Sequence, residues 1–371
     1  MIDPTSFYEA LVAENLTFFA GVPDSLLASL CKCIQTRAKT HIIAANEGNA
    51  VAMGMGYHLA TGNIPVIYMQ NSGLGNAVNP LTSLTDPEVY KIPLILIIGW
   101  RGEPGITDEP QHIKQGRITE SQLSILGIPY QILDGDGCTK TIIQNAVKTA
   151  HEKHLPVAIL VRKNTFGPFF VNDGVENLHS LTRELAIEEI LDLSKPDDIV
   201  IVTTGKASRE AYEIRNRAGE IQQDFLTVGG MGHTSSIALG ISLGQPGKRI
   251  LCLDGDGSLI MHMGAMPIIG SQKPSNLVHI ILNNSAHESV GGQPTVADKI
   301  NFKQLAQAVG YLEYFSATTS EEICSVWEIL DKTCGPILFE IKISTYSRDN
   351  LGRPKSTAIE NKTAFMLHAQ K

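Results

Sequence analysis

The segment LCLDGDGSLIMHMGAMPIIGSQKPSNLVHIILNNSAHESVGG, Leu251–Gly292, decides how this chain folds. An apolar run ends at Asp254. Gly255-Asp256-Gly257-Ser258 then makes a tight turn into Ser258–Ser271, which reads as one helix. The chain returns through a second apolar run, Leu277–Leu282, that closes on Asn283-Asn284. Strand, helix and strand form a βαβ unit, whose crossover is right-handed almost without exception. Asp256 and Asn284 are 28 positions apart, yet both fall at carboxyl ends of parallel strands, and open α/β sheets bind ligands at that edge.

The residue types at this edge have a chemistry in common. Asp256 offers an anionic oxygen and Asn284 an amide oxygen, and a main-chain carbonyl just after Asn284 offers a third. Hard oxygens of this kind suit Mg²⁺, whose octahedral shell is completed by water and phosphate. Gly255, Gly257 and Ser258 lie at the turn into the helix, where free N–H groups and the helix dipole favour a phosphate. Gly-Asp-Gly alone would be only a turn. With an apolar strand before it and Asn-Asn ending the next strand, the segment reads as a site for a metal-bound diphosphate.

Outward from this unit the same alternation continues. Strands are expected at Ile199–Thr203, Phe225–Val228, Ile250–Asp254, Tyr311–Phe315 and Ile337–Ile343, with helices at Ala207–Arg217 and Ser235–Leu243. The first half repeats the scheme, with strands at Thr17–Ala20, His41–Ala44, Pro65–Gln70, Pro93–Ile98, Tyr130–Leu133 and Val157–Val161. Helices are expected at Ser25–Thr36, Glu47–Thr61 and Thr139–Lys153. The fold class is α/β: two doubly wound parallel-sheet domains, 1–165 and 183–371, joined by a linker at 166–182. A length of 371 residues suits two domains.

Composition narrows the function. Hydrophobic residues make up 43% and charged residues 18%, as in a folded globular chain. The formal net charge of -8 speaks against nucleic-acid binding, which needs a basic surface. The longest apolar stretches, such as Pro93–Trp100, are too short to span a bilayer. The start MIDPTSFYEALVAEN has neither the basic end nor the apolar core of a secretory signal. The 6 cysteines are scattered, and Cys31 and Cys33 point apart on a helix, so buried, reduced thiols of a cytoplasmic protein are expected.

The Gly-Asp-Gly…Asn-Asn arrangement resembles the signature of thiamine-diphosphate-dependent enzymes. The resemblance implies thiamine diphosphate and Mg²⁺ as cofactors, with Asp256, Asn284 and the main chain of Ala286 as metal ligands. The family commonly has glycine where this chain has Ser285. It also places a glutamate at the start of a helix, facing the aminopyrimidine of the cofactor; HIIAANEGNAVAMGMGYHLATG matches, with Glu47 in that place. TVGGMGHTSSIALG resembles the segment whose bulky residue props the bent cofactor, here Met231, with Gly229 accepting a hydrogen bond from the pyrimidine amino group. The glycines fail the dinucleotide fingerprint, because Ser235 takes its last place. Thr204-Gly205-Lys206 follows another strand and is placed to contact the diphosphate; Gly205 is assigned to the cofactor.

With no room for the central third domain of larger relatives, the chain is similar over nearly its whole length to the two-domain decarboxylases of phosphonopyruvate and sulfopyruvate. The likeness includes GVPDSLL, QNSGLGNAVNPLTSL, GWRGEPGITDEPQHIKQG, TTGKASREAY and LGRPKSTAIENKTAFM. It implies non-oxidative decarboxylation of phosphonopyruvate to phosphonoacetaldehyde and carbon dioxide. Sulfopyruvate, or another 2-oxo acid with a carboligase outcome, is the alternative. It also implies a homodimer or higher homo-oligomer with active sites at subunit interfaces. For the doubly anionic substrate, Arg101, His112, Lys114 and Gln115 form a donor-rich loop, and Asp24 and Ser25 start a helix at the same edge. Simple capping would equally explain Asp24 and Ser25. His112 is also assigned a catalytic part and His287 faces the cofactor, whereas His58 and His262 read as structural or solvated.

Overall fold

The computed structural model describes residues 1–135, 139–170 and 179–371. The chain divides into two compact units, Met1–Asp173 and Gly174–Lys371. In the first unit, α1 (Pro4–Ala13), β1 (Phe18–Gly21), α2 (Ala28–Arg37), β2 (Thr40–Ile43), α3 (Glu47–Thr61) and β3 (Val66–Gln70) lead to α4 (Leu74–Pro80) and β4 (Ile95–Gly99). Then come α5 (Pro110–Ile125), β5 (Tyr130–Leu133), α6 (Thr139–Lys153) and β6 (Val157–Val161). The strands form one parallel sheet in the order β2-β1-β3-β4-β6-β5.

The second unit runs α7 (Arg183–Leu193), β7 (Ile199–Val202), α8 (Lys206–Arg217), β8 (Phe225–Leu226), α9 (Thr234–Gly244), β9 (Ile250–Gly255), α10 (Asp256–Met261), α11 (Ala265–Gln272) and β10 (Leu277–Asn283). It continues through β11 (Ala286–His287), β12 (Gln293–Pro294), α12 (Phe302–Ala308), β13 (Glu313–Ala317), α13 (Ser320–Leu330), β14 (Ile337–Lys342) and α14 (Ala358–Ala369). Its parallel sheet has the order β13-β14-β10-β9-β7-β8, and β11 and β12 form a separate antiparallel ribbon.

Both sheets are covered on both faces, which is why their strands read as unbroken apolar runs. Ile95 and Ile97 of β4 enter one core while Leu96 and Ile98 enter another. Leu251 and Leu253 of β9 are likewise divided from Ile250 and Cys252. Burying each such side chain contributes about 1.5–3 kcal/mol, so strand positions are strongly specified. Among the described residues no helix is long and apolar enough to cross a membrane.

The structure departs from the sequence reading at several places. The single helix expected over Ser258–Ser271 is two, because His262 leaves helical geometry at φ -131, ψ 46. The helix expected from Ser25 begins at Ala28 with Leu27 as a cap that lends no side chain, because Asp24 is turned inward. The donor-rich loop is helical from Pro110, so His112, Lys114 and Gln115 ride on α5. Cys31, Cys33 and Cys252 are buried, but Cys324 and Cys334 are exposed, the first on the outer face of α13 and the second in the turn before β14. Cys138 lies outside the described residues, as do residues 171–178 of the expected linker. The first linker residues are packed: Phe166 meets Phe7 edge-on at 5.1 Å, and Gly167 N–H donates to the Ile2 carbonyl.

Candidate active site

In the second unit β9 and β10 are neighbours, with Asp254 opposite Ile281 and Gly255 opposite Leu282. Asp256 and Asn284 therefore leave adjacent strands at one sheet edge. Asp256 opens α10 and is buried. Burial pushes its carboxyl up to about 6, against hydrogen bonds from Thr295 and from the Asn284, Asp256 and Gly257 main chain. The Thr295 hydroxyl donates to Oδ2.

The Asn284 side chain is held at both ends: Oδ1 accepts from the Ala286 N–H at 3.0 Å and Nδ2 donates to Glu288 Oε2 at 3.3 Å. Ala286 lies opposite Pro294, which has no N–H to offer its carbonyl. Ser285 takes φ 54, the left-handed region that glycine adopts freely. That geometry costs roughly 1–2 kcal/mol for an L-residue, and it is offset by two bonds to Asn283 Oδ1, from the Ser285 N–H at 3.0 Å and its hydroxyl at 3.3 Å.

Among the described residues no three His, Cys, Asp or Glu side chains gather as a metal cluster. The set here is one carboxylate, one amide and one main-chain carbonyl, the donors of a hard ion that keeps water and phosphate ligands. Gly257 lies against its neighbours: a Cβ there would stand 3.1 Å from the His287 ring and 3.5 Å from Met231 Cε. The donors and this close-walled glycine fit a metal-bound diphosphate. Only six residues of helix follow, so the N–H groups contribute more here than a long dipole would.

The other assigned residues surround this edge. Gly205 caps α8 at φ 100, ψ -140, a conformation essentially reserved for glycine. Gly229 and Met231 lie in the loop between β8 and α9. Gly255 ends β9. The Ser258 hydroxyl accepts from the Gly232 N–H at 3.1 Å and from Thr203 Oγ1 at 3.3 Å, so it ties that loop to α10. His287 is neutral, since burial drops its pKa to about 4. His262 packs against His233 with the rings tilted by 50° and their centroids 4.5 Å apart, and His58 Nδ1 lies 3.0 Å from the Asn63 carbonyl.

In the first unit Glu47 is the first residue of α3, after the Asn46 cap whose side chain accepts from the Asn49 N–H. Its buried carboxylate accepts from Asn76 Nδ2 at 2.8 Å. Gly73 makes the room, for a Cβ there would lie 2.4 Å from Glu47 Oε1. Asn46, Gly48, Asn76 and Asn79 line an open cleft of about 660 Å³ beside it.

Five further residues assigned from sequence gather at the carboxyl ends of β1, β3 and β4. Asp24 is fully buried, accepting from Gln70 Nε2 at 2.7 Å and from the Leu26 N–H at 3.0 Å. Burial raises its pKa. It fits because Gly99 has no Cβ, which would lie 2.1 Å from Asp24 Oδ2. Arg101 donates Nη1 to Ser25 Oγ at 2.8 Å and closes its fork on Asp108 through Nε, at 2.7 Å, and Nη2. Gln115 donates to the Asn71 carbonyl at 2.9 Å, and Asn71 Nδ2 to the Arg101 carbonyl at 2.8 Å. Lys114 is exposed on α5.

Burial, aided by Arg101, drops the His112 pKa to about 4, with Asp108 opposing. His112 is thus a neutral acceptor or donor at pH 7 rather than a fixed cation. Histidine-selective NMR titration is expected to place its midpoint near 4, and Arg101→Met to move it upward. A midpoint near 6.5 in the unaltered protein would contradict the buried, Arg101-facing position.

Sequence reading missed Asp108, Asn71, Thr295 and Glu288. The Gly-Pro-rich segment around Asp108 carries no period, and Thr295 is 39 positions from Asp256 in an irregular stretch. Asn71 lay inside a quoted segment but had no assigned role.

Residues 5–124 match the thiamine pyrophosphate enzyme N-terminal TPP binding domain, and residues 203–341 the C-terminal TPP binding domain. The phosphonopyruvate decarboxylase of Streptomyces viridochromogenes is 33% identical over 97% of this chain and 93% of its own. The chain belongs to the thiamine-diphosphate-dependent decarboxylases. Like them it is a carboxy-lyase, built from two parallel α/β domains, with no third domain among the described residues. The phosphonopyruvate decarboxylase of Streptomyces hygroscopicus is 32% identical, over 96% of this chain and 91% of its own. The sulfopyruvate decarboxylase of Methanosarcina acetivorans is 30% identical over 71% of each.

Proposed function

We propose that this enzyme decarboxylates phosphonopyruvate to phosphonoacetaldehyde and carbon dioxide, with thiamine diphosphate held through Mg²⁺. The observation that carries this reading is the similarity, over nearly the full length of both chains, to proteins named phosphonopyruvate decarboxylase. In this reading Asp256, Asn284 and the Ala286 carbonyl hold the ion, and Gly205, Gly255, Gly257 and Ser258 lie along the diphosphate. When bound, the cofactor supplies a thiazolium that accepts the electron pair released with carbon dioxide. With the cofactor bound, Glu47 would exchange a proton with the pyrimidine, Met231 would pack against the cofactor and the Gly229 carbonyl would accept from the amino group.

Substrate handling falls to the first unit. Ser25, Arg101 and Gln115 bind the anionic groups, with Asp108 keeping the Arg101 fork oriented. Buried Asp24, whose pKa burial raises, is suited to supply the proton that replaces the lost carboxylate, and neutral His112 serves beside it as a hydrogen-bonding group. The enzyme works in the cytoplasm as a homodimer or larger homo-oligomer, with the first unit of one subunit completing a site on the second unit of another. Mixing Glu47→Ala with Asp256→Ala subunits then restores activity, and no recovery despite proven subunit exchange refutes the shared site.

Steady-state kinetics on phosphonopyruvate and sulfopyruvate test the substrate. The phosphonate is expected to have a kcat/KM at least about tenfold higher, equivalent to 1.4 kcal/mol in the transition state. A reversed ratio would favour the second reading, a sulfopyruvate decarboxylase, which the Methanosarcina relative supports.

A further inference from the structure

Glu288 lies just past the strand-edge ligands, in a short turn after β11. Its carboxylate meets three donors from three parts of the second unit. Oε1 accepts from Lys206 Nζ at 2.8 Å, and Oε2 from Arg183 Nη1 at 2.5 Å and Asn284 Nδ2 at 3.3 Å. Both cations are anchored in turn: Arg183 forks onto Glu210 at 2.7 and 2.9 Å, and Lys206 reaches Ser347. Side-chain exposure is only 9% for Arg183 and 11% for Glu288.

We propose that Glu288 is a positioning residue: braced by Arg183 and Lys206, it fixes the Asn284 amide so that oxygen, not nitrogen, is turned to the divalent ion. The inference rests on the reading of Asp256, Asn284 and the Ala286 carbonyl as metal ligands. An asparagine amide is nearly symmetric in shape, but only its oxygen has lone pairs for a cation. An NH₂ bound to a carboxylate removes the unproductive flip, since the reversed amide would bring its oxygen against Glu288. The orientation is doubly specified, because Oδ1 also accepts from the Ala286 N–H. Arg183 and Lys206, 2.5 and 2.8 Å from the two carboxylate oxygens, balance the Glu288 charge and hold it in place. A buried anion braced by two cations is costly to assemble, and its contact with Asn284 gives that assembly a use.

Partners that orient a metal ligand are typically worth 10- to 100-fold in affinity. Calorimetric titration of Mg²⁺ into protein supplied with thiamine diphosphate reads this directly. Glu288→Ala is expected to weaken Mg²⁺ binding about 10- to 100-fold, whereas in an Asn284→Ala background it costs nothing further, because the residue acts through that amide. Glu210→Ala disturbs the same ion network without touching Asn284 and is expected to leave Mg²⁺ affinity within about threefold. Unchanged affinity in Glu288→Ala, an equal loss in Glu210→Ala, or an undiminished loss on top of Asn284→Ala each overturns the positioning role. Should Glu288→Ala not fold, Glu288→Gln takes its place under the same criteria, with a smaller loss because an acceptor for Asn284 remains. Unaltered protein that takes up neither Mg²⁺ nor thiamine diphosphate would sink the cofactor reading itself, a result distinct from failure of the Glu288 inference.

Discussion

Glu47→Gln is expected to lower turnover by about 10²- to 10⁴-fold while the protein still binds thiamine diphosphate and Mg²⁺. The substitution is nearly isosteric. A glutamine oxygen can still accept from Asn76 Nδ2, which lies 2.8 Å from the carboxylate, so the start of α3 has no reason to move. What is lost is a group able to hold and release a proton against the pyrimidine. Carbon dioxide release measures the first effect and calorimetric binding the second. Near-normal turnover would remove Glu47 from the mechanism. Loss of cofactor binding together with turnover would make it a structural anchor instead.

Asp256→Asn is expected to act in opposite directions on binding and stability. It removes the single formal charge of the ligand set, and Mg²⁺-dependent cofactor binding is expected to fall more than about 100-fold, beyond the usual effect of an indirect partner. The stability of the cofactor-free protein should rise. Burial lifts the Asp256 pKa from 3.8 to about 6, so the folded chain holds that proton more tightly than the unfolded chain. Stability from this group is present below the unfolded value and is lost as pH rises through about 6. At pH 7.5 the ionised carboxyl therefore costs on the order of 3 kcal/mol, which the neutral amide avoids. Urea unfolding of cofactor-free protein is expected to find the variant more stable at pH 7.5 and the gap closed near pH 4. A variant less stable at both pH values would mean that Thr295 and the main-chain donors already satisfy the charge.

The parts legible from sequence are those where burial and period act together. Strands β5 and β6 and helix α3 have the expected limits, and most other strands shift by one or two residues. Strands buried on both faces leave continuous apolar runs, and Glu47 follows a capping asparagine at a clear helix start. Three features needed side-chain geometry. The α10–α11 break depends on His262 and a nearby glycine turn, not on any loss of apolar period. Asp24 looks like a capping residue in sequence, and its inward turn depends on the missing Cβ of Gly99, 75 positions later. The ribbon that brings Thr295 onto Asp256 consists of two-residue strands, one ending in proline, and strands that short leave no alternation to read.

Carbon dioxide release from phosphonopyruvate, followed with purified protein stripped of cofactors and then resupplied, tests the central claim most directly. The expected result is no release from stripped protein, and turnover only when thiamine diphosphate and Mg²⁺ are added together. Release that is indifferent to thiamine diphosphate, or none under full supply, would contradict a site in which Asp256 and Asn284 secure a diphosphate for decarboxylation.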